Sequence, residues 1–187
     1  MSTAARSFRD CLGRFASGVT VVTVRSGEAV HGATVSSFTS VSLEPPLVMV
    51  SLDRRSRMCA ALDGAGFGIN ILAAGQQDLA LHFAGRPAQP AAPVLWEPSD
   101  GAPRLAGAAA YLDCTSWAAY DGGDHVLYVG AVRSFDSDDR EPLVFHGGAF
   151  RALDRSPKES AWTGSLDGPA DGAWAPGVTA LLTSLGH

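Results

Sequence analysis

Lysine is nearly missing from this chain. Lys158 is the only one in 187 residues, and with a formal charge of −5 no basic stripe remains to hold a phosphate backbone by counterion release. Nucleic acid is therefore not an expected partner. Cysteines are also few: Cys11, Cys59 and Cys114 are widely spaced, odd in number and form no C-x-x-C. That pattern excludes a disulfide framework and a cysteine zinc site, and it suits a reducing, cytoplasmic setting. No run approaches the ~20 apolar residues a spanning helix needs. The first residues, Met-Ser-Thr-Ala-Ala-Arg, have no apolar signal core, so a soluble protein with no membrane partner is expected. Nucleophile elbows and H-E-x-x-H are missing too, and the histidines are too scattered to name a metal set. Gly64-Ala-Gly66-Phe-Gly68 has the wrong spacing for a dinucleotide loop and enters a strand rather than a helix.

What is present is a globular composition, 46% hydrophobic and 18% charged, enough for one substantial core and one domain. The apolar residues Phe8, Cys11, Leu12 and Phe15 recur at helical spacing, which predicts a helix over 4–16 closed by Gly18. Strands are predicted over 18–24, 30–37, 47–52 and 67–72, with Ser26-Gly27-Glu28 as the first turn. Asp53 or Ser56 can cap a short helix after the third strand. A second helix is predicted over 74–84, where Leu79, His82 and Phe83 share one face.

Five prolines between 84 and 106 predict a long irregular loop, of the kind that serves as a lid or a subunit contact. Two long strands over 108–120 and 126–135 are joined by Asp121-Gly-Gly-Asp124, and a last strand runs from 143 to about 153. From 156 to 187 the chain becomes a Gly/Pro/Ala-rich tail carrying Trp162 and Trp174, separate from the 1–155 domain. Six or so strands with short helices predict a mainly β protein, a closed or partly closed antiparallel barrel with ligand sites at its mouths.

One segment concentrates polar chemistry. Thr34, Ser36, Ser37, Thr39, Ser40 and Ser42 surround Phe38 and lead through Leu43 and Pro45-Pro46 into an apolar strand. Six small hydroxyls beside one ring suit a polar, flat ligand, and the alternative is a Ser/Thr-rich strand bonding its own neighbours. Asp53-Arg-Arg-Ser-Arg-Met58 adds a hydroxyl and permanent cations near a helix start, which suits an anion, or merely a solvated helix turn.

These residues resemble a known family. Phe8-Arg-x4-Arg14-Phe-x-x-Gly-Val-Thr-Val-Val-Thr23, Gly32 to Leu52 with Ser-Leu-Glu-Pro-Pro-Leu, Phe67 to Leu72 with Phe83-Ala84, and Gly123-Asp-His125 followed by Pro142-Leu-Val-Phe-His-x-Gly148 occur in order over about 8–153. The chain is similar to the flavin reductases with an FMN-binding split β-barrel, a Greek-key fold. These are the reductase components of two-component flavin monooxygenases, of the 4-hydroxyphenylacetate 3-monooxygenase reductase type. The resemblance implies hydride transfer from NADH or NADPH to FMN or FAD, a homodimer, and delivery of reduced flavin to a partner monooxygenase.

It implies also that Thr34 to Leu43 wrap the flavin ring, with Phe83 nearby, and that Asp53, Ser56 and Arg57 seat the flavin phosphate. The family has a second hydroxyl residue where Met58 stands, a loss for which Arg54 or Arg55 could substitute. His125 is then the catalytic candidate at the nicotinamide, joined there by His146, Gly147, Gly148 and Phe150, the last usually tyrosine in the family. His31 and His82 read as structural or surface residues. Two alternatives stay open: a tight FMN enzyme reducing another acceptor such as ferric complexes, and a flavin- or haem-binding barrel without turnover.

Overall fold

The computed structural model describes residues 3–153 apart from 88, 90 and 92. The tail over 156–187 lies outside the described residues. In chain order the elements are α1 (Thr3–Leu12), β1 (Ser17–Gly18), β2 (Thr20–Ser26), β3 (Ala29–Val35), β4 (Thr39–Leu43), β5 (Pro46–Asp53), α2 (Arg57–Leu62) and β6 (Phe67–Ile71). There follow α3 (Gln77–Phe83), β7 (Trp96–Glu97), β8 (Arg104–Leu105), β9 (Ala110–Gly122), β10 (His125–Ser137), β11 (Val144–His146) and β12 (Ala149–Arg151).

Seven strands form one antiparallel sheet in the order β3-β2-β6-β9-β10-β5-β4. The sheet curls until β3 comes back beside β5. There the Ser37 hydroxyl both donates to the Ser51 carbonyl and accepts from the Ser51 amide, each at 2.9 Å. The predicted barrel is thus a mainly β, curled sheet whose seam is sewn by a side chain rather than by a strand ladder.

The interior follows from the strand patterns. β5 alternates, burying Val48, Val50 and Leu52, and these meet Val22, Val24, Phe67, Ile69 and Tyr128 inside the curl. β2 is buried on both faces, because Val21 points the other way, into a second cluster with Val19, Leu72, Ala80, Leu105 and Leu143 that docks α3. Each fully buried aliphatic side chain contributes about 1.5–3 kcal/mol, so β2 anchors both layers.

Several expectations are corrected. The helix predicted over 4–16 stops at Leu12, and its apolar stripe is not buried: Phe8, Leu12 and Phe15 are 66%, 58% and 81% exposed. The 84–106 loop carries the short β7–β8 pair, and its second half belongs to the core. Leu105 is fully buried with its amide on Asn70 Oδ1 at 2.7 Å, and the Thr23 hydroxyl donates to the Pro103 carbonyl. Buried hydrogen bonds to Asn70 and Thr23, as well as proline spacing, set the path of that segment.

The last predicted strand is a hairpin, β11–β12, turned by Gly147 and Gly148 at φ +59° and +79°. Both residues sit in the left-handed region, which only glycine enters without strain. The edge strand β4 was not expected, because its residues are largely exposed on both faces and show no alternation.

Candidate functional site

Three pieces of chain meet where the seam ends. The end of β3 and the residues after it supply Thr34, Ser36 and Ser37. The end of β5 supplies Ser51 and Asp53, followed by Ser56, and the β9–β10 turn supplies His125; together they line a cleft of about 360 Å³. Antiparallel register causes this meeting, since His125 faces Asp53 across β5–β10 and Gly122 across β9–β10.

Most hydroxyls here are already engaged. Thr34 donates to the Ala80 carbonyl of α3 at 2.7 Å, Ser37 holds the seam, and Ser56 caps α2 by accepting from the Met58 amide at 3.2 Å. The helix cap is therefore Ser56, not Asp53. Ser36 and Ser51 keep side-chain hydroxyls without a partner among the described residues.

The arginines are sorted in the same way. Arg55 grips Asp53 at 2.7 Å and holds its carboxyl well below the usual carboxylate range, chiefly through that side-chain hydrogen bond. Arg54 pairs with Asp121 at 2.9 Å and also donates to the Gly123 and His125 carbonyls, fastening the turn that carries His125. Neither is free to replace a lost contact at position 58. Arg57 is exposed and has no partner among the described residues, so it remains as a cation for a ligand. Met58 itself is 3% exposed inside the curl, where it packs rather than binds.

His125 is half exposed, and its Nδ1 lies 2.7 Å from Asp124 Oδ1. An ionised carboxylate only accepts, so this contact places the ring proton on Nδ1 and leaves Nε2 as the open nitrogen.

Other expected site residues fall elsewhere. Thr39, Ser40, Ser42 and Leu43 lie along β4, away from the cleft lining, and Thr39 bonds the neighbouring Ser40 carbonyl. Phe38 packs against the core rather than standing in a ring of hydroxyls. The reason is the bulge between Ser40 and Ser42, which carries β4 along β5 as an edge strand. Phe83 lies behind β3: its ring fills the space where a side chain on Gly32 would be, 2.5 Å from that imagined Cβ. It is the reason residue 32 has none. His82 stands edge-on to Phe83 at 5.0 Å, in keeping with a structural role.

Ser36 is also the junction to two further cavities. One, of about 380 Å³, lies between β3, α3 and β12 and includes Leu81, Arg86, Gly148 and Phe150. The other, of about 640 Å³, lies between the end of α1 and the β11–β12 turn and includes Arg14, Phe145, Gly147 and Gly148. Gly147, Gly148 and Phe150 are thus gathered beside the cleft, whereas His146 lines none of the three cavities. Sequence reasoning missed Phe145, Leu81, Arg86 and Arg14. Phe145 and Arg14 stood inside quoted motif segments, and nothing local marks Leu81 or Arg86.

Residues 12–154 match the family described as flavin reductase like domain. A NADH-dependent flavin reductase of a Rhodococcus species is 45% identical over 159 residues, covering 82% of this chain and 89% of that protein. The reductase component of 4-hydroxyphenylacetate 3-monooxygenase from Thermus thermophilus is 42% identical, covering 79% and 95%. Among solved structures, the Streptomyces globisporus C-1027 NADH:FAD oxidoreductase in complex with NAD and FAD fragments superposes with a TM-score of 0.77 at 37% identity, covering 84% and 98%.

Proposed function

The chain belongs to the flavin reductase family, and from that premise we propose that it oxidises NADH and reduces FMN or FAD, supplying the reduced flavin to a partner monooxygenase. The observation that carries this reading is the convergence of Ser36, Ser37, Asp53, Ser56 and His125, distant in sequence, on one cleft.

The residues present fit a flavin. The cleft and its neighbour at β12 have the dimensions of a small-molecule site, about 300–1,000 Å³. The unpartnered Ser36 and Ser51 hydroxyls can serve ring heteroatoms, and Arg57 offers a guanidinium for a phosphate. A bound flavin supplies the hydride acceptor, and the protein supplies alignment. Thr34 ties the β3 wall to α3, Ser37 holds it to β5, and Arg54 holds the turn on the far side. His125 presents Nε2 beside the cleft, where it can bond the nicotinamide carboxamide and orient the donor.

We extend the proposal to a cytoplasmic homodimer, supported by the free thiols and by the exposed apolar residues Phe8 and Leu12 on α1 and Phe15 just after it. Among the described residues no helix is long and apolar enough to cross a membrane. We propose further that the 156–187 tail, which lies outside the described residues, takes no part in flavin reduction. Steady-state oxidation of NADH with added FMN or FAD tests the function. Saturable dependence on free flavin is expected. Turnover confined to copurified flavin would favour the tight-binding alternative, and no turnover would refute reductase activity.

A further inference from the structure

A hairpin tip that carries a working histidine has to be held from outside itself. We propose that Arg54 is a positioning residue for hydride transfer that acts through His125: it hangs the β9–β10 turn on the turn that opens α2 and so sets where the His125 ring stands. The inference rests on the reading of the protein as a flavin reductase.

The sheet supports this tip on one side only. β6 pairs with β9 as far as Cys114, so from Thr115 to Gly122 that strand has β10 as its one neighbour among the described residues. On the other side β5 supports β10 up to the His125–Asp53 pair, where the ladder ends. Asp121, Gly122, Gly123 and Asp124 form the tip and are all exposed. A short turn in that position fixes its own shape but not its place against β5.

Arg54 follows directly after that last pair and directs every hydrogen bond it gives at the tip. Its amide donates to the Asp124 carbonyl at 3.0 Å and its Nε to the Gly123 carbonyl at 3.2 Å. Its Nη2 donates to the His125 carbonyl at 3.3 Å and to Asp121 Oδ2 at 2.9 Å. Asp121 accepts from the Gly123 amide through its other oxygen, at 2.9 Å, so the carboxylate that Arg54 reaches is also the one that shapes the turn. The base from which Arg54 reaches out is itself held. Asp53 accepts from the Arg55 amide through its side chain at 2.9 Å and from the Ser56 amide through its carbonyl at 2.8 Å.

An isolated exposed ion pair contributes little, and Arg54 with Asp121 alone would be one. What sets Arg54 apart is its hold on the carbonyls of Asp124 and His125, the two residues whose side-chain contact keeps the ring proton on Nδ1 and Nε2 open. A planar fork of N–H donors can reach a carboxylate and two carbonyls together, whereas an ammonium is a point charge on a flexible stem. Displacing the tip by on the order of 1 Å is enough to spoil alignment of a nicotinamide over a flavin.

The test places Arg54→Ala and Arg54→Lys in the parent protein and Arg54→Ala in His125→Ala, and reads reduction of the flavin-loaded proteins by NADH in stopped flow. Arg54→Ala should slow reduction about two- to tenfold, the range of a positional hydrogen bond. The FMN dissociation constant should hold, because Ser56, Arg57 and the amide of residue 54 are all retained. Arg54→Lys should keep the Asp121 pair and the parent's melting temperature, yet not the rate. In the His125→Ala background Arg54→Ala should slow the reaction no further, since the group it positions is gone. A second readout needs no turnover: nitrogen-15 spectra of the imidazoles should show His125 protonated at Nδ1 in the parent and a mixture of the two neutral ring forms in Arg54→Ala. An unchanged rate in Arg54→Ala, losses that multiply in the double variant, full recovery of the rate by lysine, or an unaltered ring spectrum would each overturn the proposal. If the parent protein oxidises no NADH with either flavin, the functional reading falls, and the ring spectrum alone decides whether Arg54 places His125.

Discussion

Ser37 and Ser51 are joined by two hydrogen bonds through a single hydroxyl, which gives a proton to one carbonyl and takes one from the adjoining amide, both at 2.9 Å. This contact stands where a strand ladder would otherwise close the curled sheet. Ser37→Ala removes both bonds at a half-buried seam. A loss of about 1–3 kcal/mol is expected, because the Ser51 groups are left without their partner. Urea unfolding without flavin measures it, and a midpoint equal to the parent's would show that the seam closes without this hydroxyl.

Arg57 is the open cation of the three arginines around α2. Arg57→Ala should weaken FMN by about tenfold or more, the worth of a charge-assisted hydrogen bond of roughly 1.5–3 kcal/mol, and leave riboflavin nearly unchanged. Fluorescence titration with both ligands decides the matter. Parallel losses would remove Arg57 from phosphate binding.

His125→Ala should leave flavin affinity nearly intact and slow reduction by NADH about two- to tenfold, the range of a positional hydrogen bond rather than of proton transfer. Asp124→Asn should fall between parent and His125→Ala, because it weakens the hold on Nδ1 without removing Nε2. Stopped-flow reduction at subsaturating NADH reads both, and an unchanged rate in His125→Ala would make the residue part of the turn only.

Alkaline stability should follow two buried acids. Burial, with the Asp113 charge adding to it, pushes the Cys114 thiol from an ordinary 9.0 up to about 12. Burial and the hydrogen bond to Cys59 push the Tyr128 phenol from 10.0 to about 12. Both stay protonated in the folded protein while the unfolded chain ionises, so the folded state binds more protons. Stability is therefore intact below pH 9.0 and falls as pH rises toward about 12. Thermal melts across that window should show the decline, and Cys114→Ala should flatten its lower part. Iodoacetamide at pH 8 should modify exposed Cys11 and spare Cys114, and rapid labelling of both would contradict the burial.

The parts of this molecule that local chemistry dictates were readable from the chain. The valine-rich run became β2, the Gly-Gly-Asp turn put His125 at the head of β10, and Ser56 capped a helix as a hydroxyl before Arg57 should. What was not legible depended on partners distant in sequence. Of the six hydroxyls, Thr34, Ser36 and Ser37 line the cleft, with Thr34 bonded to α3 and Ser37 to the seam, while Thr39, Ser40 and Ser42 run out along β4. The apolar stripe of α1 had the right period for burial and found no core among the described residues to enter. Leu105 sat among prolines and was buried because Asn70 reaches across to its amide.

The curl of the sheet is filled by side chains that include Phe67, Val50 and Ile69, and the candidate cleft opens at its rim, touching that core at Leu52. Two clocks can therefore run independently in this protein. The amides of β2 and β6 can hold their hydrogens against solvent for as long as the global fold lasts, while a cofactor at the rim arrives and departs on the timescale of its own few bonds. A carrier of short-lived reduced flavin needs that separation, since handing over its cargo then requires no breathing of the core.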